Sequence, residues 1–446
     1  MRRSLPWRRL LAAGALLAAA IAAAAIVLAA PAGDADDPPV RPAPRTERPD
    51  EAPAPPAADG QRPAPHRGLA IGLTEANANL LFTPGERPDV GALGPWRDRV
   101  DALRPRYFRL PVDWSQLQPG ADTPPQWELP ADGCQRGGGP CAAFSGIRDV
   151  LRAVRSQQRA TGGWEVLVSL YGVPAWAARA PGGCERPTTG PRSRPITDSG
   201  LDGYRALVRS LLALARAEDV RLRWWTPWNE PNGPFFVSPQ REGCSTNSTA
   251  LAPGVYTRLA RALRTELETE PGDQGIVVGE LADYSERRRY GASIPEFYDA
   301  LPDDVVCSAS VYSQHAYAQR GQEADDPGAI GQLKRTLADR PCSAGKPIWV
   351  TETGVGGAHV GDRRSGGPAT QRADCRAMAT ALARWRRDPR VTAAFQYTFR
   401  DDPVFPVGLA DVSLTRTWPA YDLWLAWGGE RSPRDSEPEL PGACAP

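Results

Sequence analysis

The fold is decided by the stretch YRALVRSL at residues 204–211 and the stretch RWWTP that follows it at residues 223–227. The apolar side chains of the first stretch fall at i, i+3, i+4 and i+7 counted from Tyr204, a spacing that places them on one face of a helix. The second stretch is short, aromatic and β-branched, which is typical of a buried strand. We therefore predict a helix followed by a strand.

The same alternation extends in both directions along the chain, from Gly68 to about Gly429. An apolar helical face recurs from Ile147 to Val154, and short apolar runs separate the helical stretches. The eight predicted strands are Leu69–Leu73, Tyr107–Pro111, Glu165–Leu170, Arg223–Pro227, Ile276–Gly279, Cys307–Tyr312, Ile348–Thr351 and Ala394–Thr398. Eight strands that alternate with helices over ~360 residues fit an α/β fold, the (β/α)8 TIM barrel.

A doubly wound sheet is the structural alternative for alternating strands and helices. Such a sheet usually carries a glycine-rich phosphate-binding turn after its first strand, whereas residues 72–75 read Gly-Leu-Thr-Glu. In a barrel, the Gly-, Cys- and Pro-rich stretches 119–144 and 178–199 would form long loops after the second and third strands. These loops would lie on the C-terminal face, where the active sites of barrels form.

Both ends of the chain differ from the predicted barrel at residues 68–430. Residues 1–32 have a basic start and a long apolar run, so they are either a cleaved signal peptide or an uncleaved signal anchor. Residues 33–67 are rich in Pro and Ala and are predicted to form a disordered linker. Residues 431–446 form a C-terminal tail. With either kind of N-terminal segment we expect export, as a secreted or membrane-anchored protein with an extracellular barrel.

The eight cysteines agree with export, because their number is even and no paired C-x2-C spacing of a zinc site is present. Disulfides in an oxidising compartment are therefore expected. Cys134 and Cys141 are the expected local pair, and the other pairings stay open.

Charge and motif content exclude several classes of partner. Lys plus Arg number 53 and Asp plus Glu number 52, so the net charge is only +1 and no nucleic-acid partner is expected. No glycine-rich loop has P-loop spacing and no His/Asp cluster has metal-ligand spacing, so neither a cofactor nor a metal is predicted. We expect a monomer that meets a membrane only through its N-terminal segment, if that segment is retained.

The segment WWTPWNEPN at residues 224–232 contains the first candidate for chemistry. Glu230 would lie just beyond the end of the fourth strand, beside Asn229 and near Trp228. An acid that protonates a leaving oxygen needs a raised pKa, and burial among apolar rings raises it. A plain turn after an aromatic strand is the alternative, but a carboxylate at the end of a barrel strand favours function.

A second carboxylate ends the seventh predicted strand, in PIWVTETG at residues 347–354. Glu352 and Glu230 would face each other across the mouth of the barrel. Cleavage of a glycosidic bond with retention of configuration needs two carboxylates ~5–5.5 Å apart, one as nucleophile and one as acid/base. The pair therefore predicts Glu352 as nucleophile and Glu230 as general acid/base.

These two motifs resemble those of clan A of the glycoside hydrolases, the 4/7 superfamily that includes families 5 and 39. The resemblance covers the whole barrel and implies that Asn229 binds the 2-hydroxyl of the sugar. It also matches Arg109 to the arginine of strand 2 in this clan, which would keep Glu352 ionised. His315 and Tyr317 match the His-x-Tyr of strand 6, which implies that Tyr317 bonds the nucleophile and that His315 contacts the substrate.

The sequence departs from the clan at the ends of two strands. Many members have a His after strand 3 and a Trp at the end of strand 8, where this chain has Tyr171 and Tyr397. We predict that these tyrosines, with Trp176 and Trp228, stack on sugar rings, although core packing would explain them equally well. His359, after the seventh strand, also falls where a substrate cleft is expected.

The predicted function is a retaining glycoside hydrolase that acts on a β-linked polysaccharide or oligosaccharide outside the cytoplasm. A transglycosylase would form the same covalent intermediate, and sequence does not separate the two. A non-catalytic carbohydrate-binding barrel and a structural envelope protein are the alternatives from other classes. The presence of both carboxylates favours an enzyme.

Overall fold

The structure is a computed structural model that describes residues 68–86, 90–135, 139–322, 326–357, 364, 366–428 and 437–446. The predicted signal peptide or anchor at 1–32, the predicted linker at 33–67 and His359 lie outside the described residues. Within the part of the chain that is described, no helix is long and apolar enough to cross a membrane.

Eight parallel strands close into a barrel, in which each strand pairs with the next along the chain and the last pairs with the first. They are β1 (Ala70–Thr74), β2 (Tyr107–Asp113), β3 (Glu165–Tyr171), β4 (Leu222–Thr226), β5 (Gly275–Leu281), β6 (Val311–His315), β7 (Ile348–Thr353) and β8 (Val391–Tyr397). The predicted (β/α)8 barrel is confirmed.

The predicted sixth strand begins four residues too early. The segment predicted at Cys307–Tyr312 becomes a strand only at Val311, because residues 303–306 form a short helix that is capped at Cys307. The strand then continues to His315, which becomes its last residue.

Helices lie between the strands and cover the outside of the barrel. In the described part of the chain they are α1 (Gly94–Leu103), α2 (Trp114–Leu117), α3 (Gly146–Thr161), α4 (Asp198–Ala217), α5 (Ala252–Glu268), α6 (Ile294–Asp299), α7 (Asp303–Val306), α8 (Gly328–Ala338), α9 (Pro368–Arg387) and α10 (Pro419–Trp427). The apolar face predicted from Tyr204 lies on α4, where its residues are fully buried against the barrel. The predicted helix is confirmed.

An aromatic cluster fills the barrel near the N-terminal ends of its strands. Tyr107, Trp224 and Phe395 surround Trp349, with ring centroids 4.6 Å, 4.9 Å and 5.7 Å from it. Trp225, the neighbour of Trp224 in sequence, belongs to the other core, between the strands and the helices. Because strand side chains alternate between the two faces of the sheet, Trp224 packs inside the barrel and Trp225 packs between the strands and the helices. The filled lower end leaves the C-terminal face for a site.

All eight cysteines pair, as Cys134–Cys141, Cys184–Cys244, Cys307–Cys342 and Cys375–Cys444. The expected local pair Cys134–Cys141 closes part of the long loop after β2. The last disulfide ties the C-terminal segment to α9. Four disulfides are typical of a protein that folds in an oxidising compartment outside the cytoplasm.

Candidate active site

A polar layer follows the aromatic cluster, one inward-facing step closer to the C-terminal ends of the strands. Arg109 comes two residues after Tyr107, and Ser169 comes two residues after Leu167, so each points into the barrel as its predecessor does. Both polar side chains are buried. The interior therefore changes from apolar to polar within one step along the strands.

Glu230 lies in the turn that follows β4. Its backbone N–H donates to the carbonyl oxygen of Glu280 at 2.9 Å, and the N–H of Asn229 donates to the carbonyl oxygen of Leu170 at 2.9 Å. Glu230 has a φ of 38°, in the left-handed region that non-glycine residues rarely adopt. These contacts with β3 and β5 hold the strained turn, so the buried carboxyl of Glu230 has a fixed position.

Glu352, near the end of β7, receives the two contacts that the sequence resemblance implies. Its Oε1 lies 2.7 Å from Nη1 of Arg109, and its Oε2 accepts a hydrogen bond of 2.7 Å from the hydroxyl of Tyr317. One oxygen of this carboxylate lies within 4.8 Å of one oxygen of Glu230. The structure therefore brings together two carboxyl groups that lie on opposite sides of the barrel in sequence order.

The guanidinium of Arg109 contacts several acceptors at once. Besides Glu352, it donates from Nη2 to Oδ1 of Asn229 at 2.6 Å and to Oε2 of Glu280 at 2.7 Å. A further bond of 3.0 Å goes to Oγ of Ser169. Because arginine can only donate, the oxygen of the Asn229 amide must face it. The amide nitrogen of Asn229 then remains able to donate to a ligand.

Glu280 completes the polar cluster around Arg109, although it was not among the predicted site residues. Its side chain is 0% exposed, and Oε2 accepts a hydrogen bond of 2.6 Å from Ser169 in addition to the bond from Arg109. The residue before it, Gly279, has a φ of 129°, and a Cβ there would lie 2.1 Å from a backbone oxygen of β6. Glu280 comes directly after a predicted strand, the pattern that singled out Glu352, so the sequence contained this signal.

His315, the last residue of β6, lies among three carboxylates. Its Nδ1 is 2.9 Å from Glu230 and 3.4 Å from Glu352, and its Nε2 is 3.7 Å from Glu280. The resemblance implied a contact with substrate, whereas the structure places this ring fully buried against the glutamates. Burial alone would lower the pKa of His315, but the three carboxylates outweigh it and raise the pKa to about 10. The ring is therefore a cation that donates from Nδ1.

The charges of the cluster balance when Glu230 is protonated. Burial raises the pKa of Glu230 to about 7, although the hydrogen bond from His315 acts in the opposite direction. Burial would also raise the pKa of Glu280, but Arg109 and His315 together hold it well below its usual range. Two cations, Arg109 and His315, then face two anions, Glu280 and Glu352. Near pH 7 the protonated and ionised forms of Glu230 are therefore both present, beside an ionised Glu280.

A metal ion is the other ligand that such a cluster could hold. Glu230, His315 and Glu352 offer ligand atoms within 4.8 Å of one another. However, Arg109 and the hydroxyl of Tyr317 already contact the two oxygens of Glu352. A guanidinium 2.7 Å from the carboxylate repels a second cation, and a protonated His315 has no lone pair for a metal. The donor set therefore fits acid–base chemistry better than metal binding.

Two of the predicted stacking residues lie in the packing of the fold. Trp228 is 1% exposed, and its Nε1 donates to the carbonyl oxygen of Phe236 at 3.1 Å. Its ring packs against Tyr204 of α4, between the barrel and the helices. Trp176 is half-buried and packs edge-on against Trp114 at 5.5 Å. The prediction of a sugar contact is corrected for Trp228, because its indole faces the helix layer.

Tyr171 and Tyr397, the last residues of β3 and β8, lie beside the cluster. Burial raises the pKa of Tyr171, and nearby carboxylates that include Glu352 add to this effect. Burial likewise raises the pKa of Tyr397, whose ring lies 6.2 Å from that of Phe405. Both tyrosines therefore line the mouth of the barrel close to Glu352, and both stay candidates for contact with a sugar.

The same barrel occurs in solved structures of other proteins. A family 39 glycoside hydrolase from the gut symbiont Bacteroides cellulosilyticus is 16% identical and has a TM-score of 0.50, over 81% of this chain and 64% of that one. SrfJ from Salmonella typhimurium is 10% identical and has a TM-score of 0.53, over 84% of this chain and 76% of that one. This chain shares its barrel fold with both proteins. Neither a protein-family model nor a curated protein sequence matches it.

The family 39 protein shares the eight-stranded parallel barrel that the resemblance of the two glutamate motifs to clan A implied. At identities of 16% and 10%, the likeness concerns the fold. The chain spans 64% of the length of the family 39 protein. The function therefore depends on the chain's own cluster of side chains around Glu230 and Glu352.

Proposed function

We propose that the protein is a retaining glycoside hydrolase with Glu352 as nucleophile and Glu230 as general acid/base. The observation that carries this proposal is the approach of the two carboxyl groups, whose nearest ligand atoms lie within 4.8 Å. Retaining enzymes place their two carboxyl groups ~5–5.5 Å apart, whereas inverting enzymes leave ~6.5–9.5 Å for a water molecule. The short separation supports direct attack by Glu352.

In the first step, an oxygen of Glu352 forms a bond to the anomeric carbon while the bond from that carbon to the leaving oxygen breaks. Glu230 transfers its proton to the leaving oxygen. Its pKa of about 7 supports this role, because the carboxyl group keeps the proton until neutral pH. The product of this step is a covalent glycosyl-enzyme and a Glu230 carboxylate.

In the second step, a water oxygen bonds to the anomeric carbon while the bond to Glu352 breaks. The Glu230 carboxylate takes the proton of that water and returns to its starting state. Arg109 and Tyr317 contact the Glu352 oxygens and stabilise the negative charge that returns to them. The amide nitrogen of Asn229 is free to donate to the sugar 2-hydroxyl, the role that the resemblance implies.

We propose a β-linked polysaccharide or oligosaccharide outside the cytoplasm as the substrate. Long loops follow β2 and β3 and border the face where the two glutamates lie. The four disulfides agree with work in an oxidising compartment. Interception of the covalent intermediate by a sugar would make the protein a transglycosylase with the same catalytic residues.

The test is turnover of a panel of activated aryl β-glycosides by wild type, Glu352→Ala and Glu230→Ala, with and without azide. We expect turnover by wild type, none by Glu352→Ala, and rescue of Glu230→Ala by azide with a β-glycosyl azide product. Azide replaces water in the second step and needs no general base, which is why only the acid/base variant is rescued. Glu128→Ala, at a side chain 64% exposed, is the matched control and should behave as wild type.

Two results would contradict the proposal. Equal activity of Glu352→Ala and wild type would remove the nucleophile assignment. Binding of oligosaccharides without cleavage of any glycoside or polysaccharide would favour the non-catalytic carbohydrate-binding barrel.

A further inference from the structure

Glu280 contacts both cations that touch the proposed catalytic glutamates. Its Oε2 lies 2.7 Å from Nη2 of Arg109. The other terminal nitrogen of Arg109, Nη1, contacts Glu352. Its Oε1 lies 3.7 Å from Nε2 of His315, which contacts Glu230 through its other ring nitrogen. A single buried carboxylate thus connects the partners of both glutamates.

Glu280 faces nitrogens of both cations that do not contact the proposed catalytic glutamates. Nε of Arg109 donates to Glu280, at 3.1 Å to Oε1 and 3.3 Å to Oε2. Among the described residues, Nε2 of His315 has no hydrogen-bond partner, and Glu280 is the carboxylate that faces it. The backbone carbonyl of Glu280 also accepts the N–H of Glu230. One residue therefore constrains the guanidinium, the imidazole and the turn of the acid/base.

We propose that Glu280 is a positioning residue of this active site. It holds Arg109 against Glu352, places an anion beside His315, and fixes the turn that carries Glu230. The proposal rests on the proposed function for its effect on catalysis, and on geometry alone for its effect on His315.

The site has a pH dependence that follows from its charges. The groups that face Glu230 and His315 come from several elements: Arg109 on β2, Glu280 on β5, Tyr284 after β5, Tyr317 after β6 and Glu352 on β7. Removal of one anion from this set makes proton loss by the remaining groups easier. Without the charge of Glu280, both His315 and Glu230 should therefore lose their protons at lower pH.

The decisive variant is Glu280→Gln, which keeps the shape of the side chain and removes its charge. We expect kcat to fall about 100-fold with KM within about threefold, because a positioning role acts on the transition state. We expect the alkaline limb of the pH–rate profile to move down by about one pH unit. In parallel, NMR of histidine-labelled protein should show His315 losing its proton at lower pH than in wild type.

Two further variants separate positioning from general damage. Glu165→Gln removes another glutamate that pairs with an arginine, Arg106 at 3.2 Å, but at the start of β3 and away from the cluster. It should behave as wild type in all measurements. Glu280→Asp keeps the charge, so it should restore the alkaline limb and part of kcat.

A Glu280→Gln protein that is folded and keeps the wild-type pH profile and the wild-type His315 titration would overturn the proposal. If this variant does not fold, Ser169→Ala replaces it, because it removes the hydrogen bond of 2.6 Å to Glu280, together with the one of 3.0 Å from Arg109, and leaves the charge of Glu280. We then expect kcat to fall about fivefold at constant KM, and an unchanged kcat would overturn the proposal. The NMR titration needs no substrate, so failure of the proposed hydrolase activity would not be confused with failure of this inference.

Discussion

The behaviour of Glu230 depends on side chains that lie far from it in sequence. Burial favours its neutral form, and the surrounding cluster reaches zero net charge only when Glu230 holds its proton. His315 is a permanent cation at neutral pH, so it stabilises the carboxylate that forms once the proton has left. Glu230 therefore alternates between a neutral form, which burial favours, and a carboxylate, which His315 stabilises.

The pH dependence of activity follows from the raised pKa of Glu230. The acid must be protonated, and a pKa of about 7 means that this form is present below neutral pH and is lost as the pH rises through about 7. We expect kcat/KM on an unactivated glycoside to decline on the alkaline side with this pKa. In Glu230→Ala with azide and an activated substrate, that limb should disappear. A flat profile between about pH 4 and pH 8 would contradict this assignment.

The hydroxyl of Tyr317 should contribute to the chemistry more than to binding. Tyr317→Phe removes the bond of 2.7 Å to Oε2 of Glu352 and leaves the ring packed against Phe405 at 5.0 Å. Hydrogen bonds to charged groups contribute about 1.5–3 kcal/mol, so kcat should fall by about 10- to 100-fold with little change in KM. Steady-state kinetics will measure this. Tyr421→Phe is the matched control, because the hydroxyl of Tyr421 in α10 donates to the backbone carbonyl oxygen of Arg99 in α1. A similar loss of kcat in this control would indicate a general effect.

Sequence reasoning found the contacts of Arg109 and Tyr317 with Glu352, because each lies in a motif at a strand end. It did not find that His315 lies between glutamates, nor that Glu280 shares Arg109. These contacts depend on the register between β5 and β6, which shifts between Val278 and Leu281. A register shift is a property of paired strands, and no single strand sequence specifies it.

At the level of elements, the turn after β4 shows how strands position the site. Asn229 and Glu230 receive their backbone contacts from β3 and β5, the two neighbours of β4 in the barrel. The alternation within β4 sends Trp224 into the barrel and Trp225 to the helix layer. The aromatic run alone predicts burial, but not which tryptophan faces which side. The sequence likewise does not show which side Trp228 faces, and this is why it was expected to stack on a sugar ring.

Trp228 should therefore matter for stability and little for substrate binding. Trp228→Phe leaves a space beside Tyr204 and removes the donor to the carbonyl of Phe236. We expect the free energy of unfolding to fall by about 2–4 kcal/mol, measured by denaturant unfolding. KM should change less than about twofold at a temperature where the variant is folded. A large rise in KM without loss of stability would restore the stacking role.

At the level of the whole molecule, closure of the barrel brings the ends of all eight strands to one face. The aromatic cluster around Trp349 fills the opposite end, and the buried side chains of Arg109, Ser169, Glu280 and Glu352 lie nearer the C-terminal ends. The disulfides Cys134–Cys141 and Cys184–Cys244 lie in loops that follow β2, β3 and β4, and Cys375–Cys444 ties the C-terminal segment to α9. Covalent bonds thus hold the loops on this face, while the reacting side chains come from the strand ends.

The disulfide between Cys375 and Cys444 should stabilise the fold without affecting the site. It joins positions 69 residues apart, and a crosslink of that span contributes about 2–4 kcal/mol in the chain-entropy view. The double variant Cys375→Ser with Cys444→Ser should lower the unfolding free energy by about this amount and leave kcat unchanged. Thiol titration of the denatured, unreduced wild type should find no free thiol. Finding most cysteines free would contradict the disulfide structure and the export that it indicates.

The sequence by itself determined the alternation of strands and helices, and therefore the barrel, because local periodicity reports which face of each element is buried. It also predicted Glu230 and Glu352 as the pair of carboxyl groups at the mouth of the barrel, because each follows an apolar strand in a motif of its own. Only the tertiary structure decided the pKa of Glu230, the cationic state of His315 and the place of Glu280. These properties arise from charges on five different strands and turns that meet in a buried space, and such distances exist only once the barrel has closed.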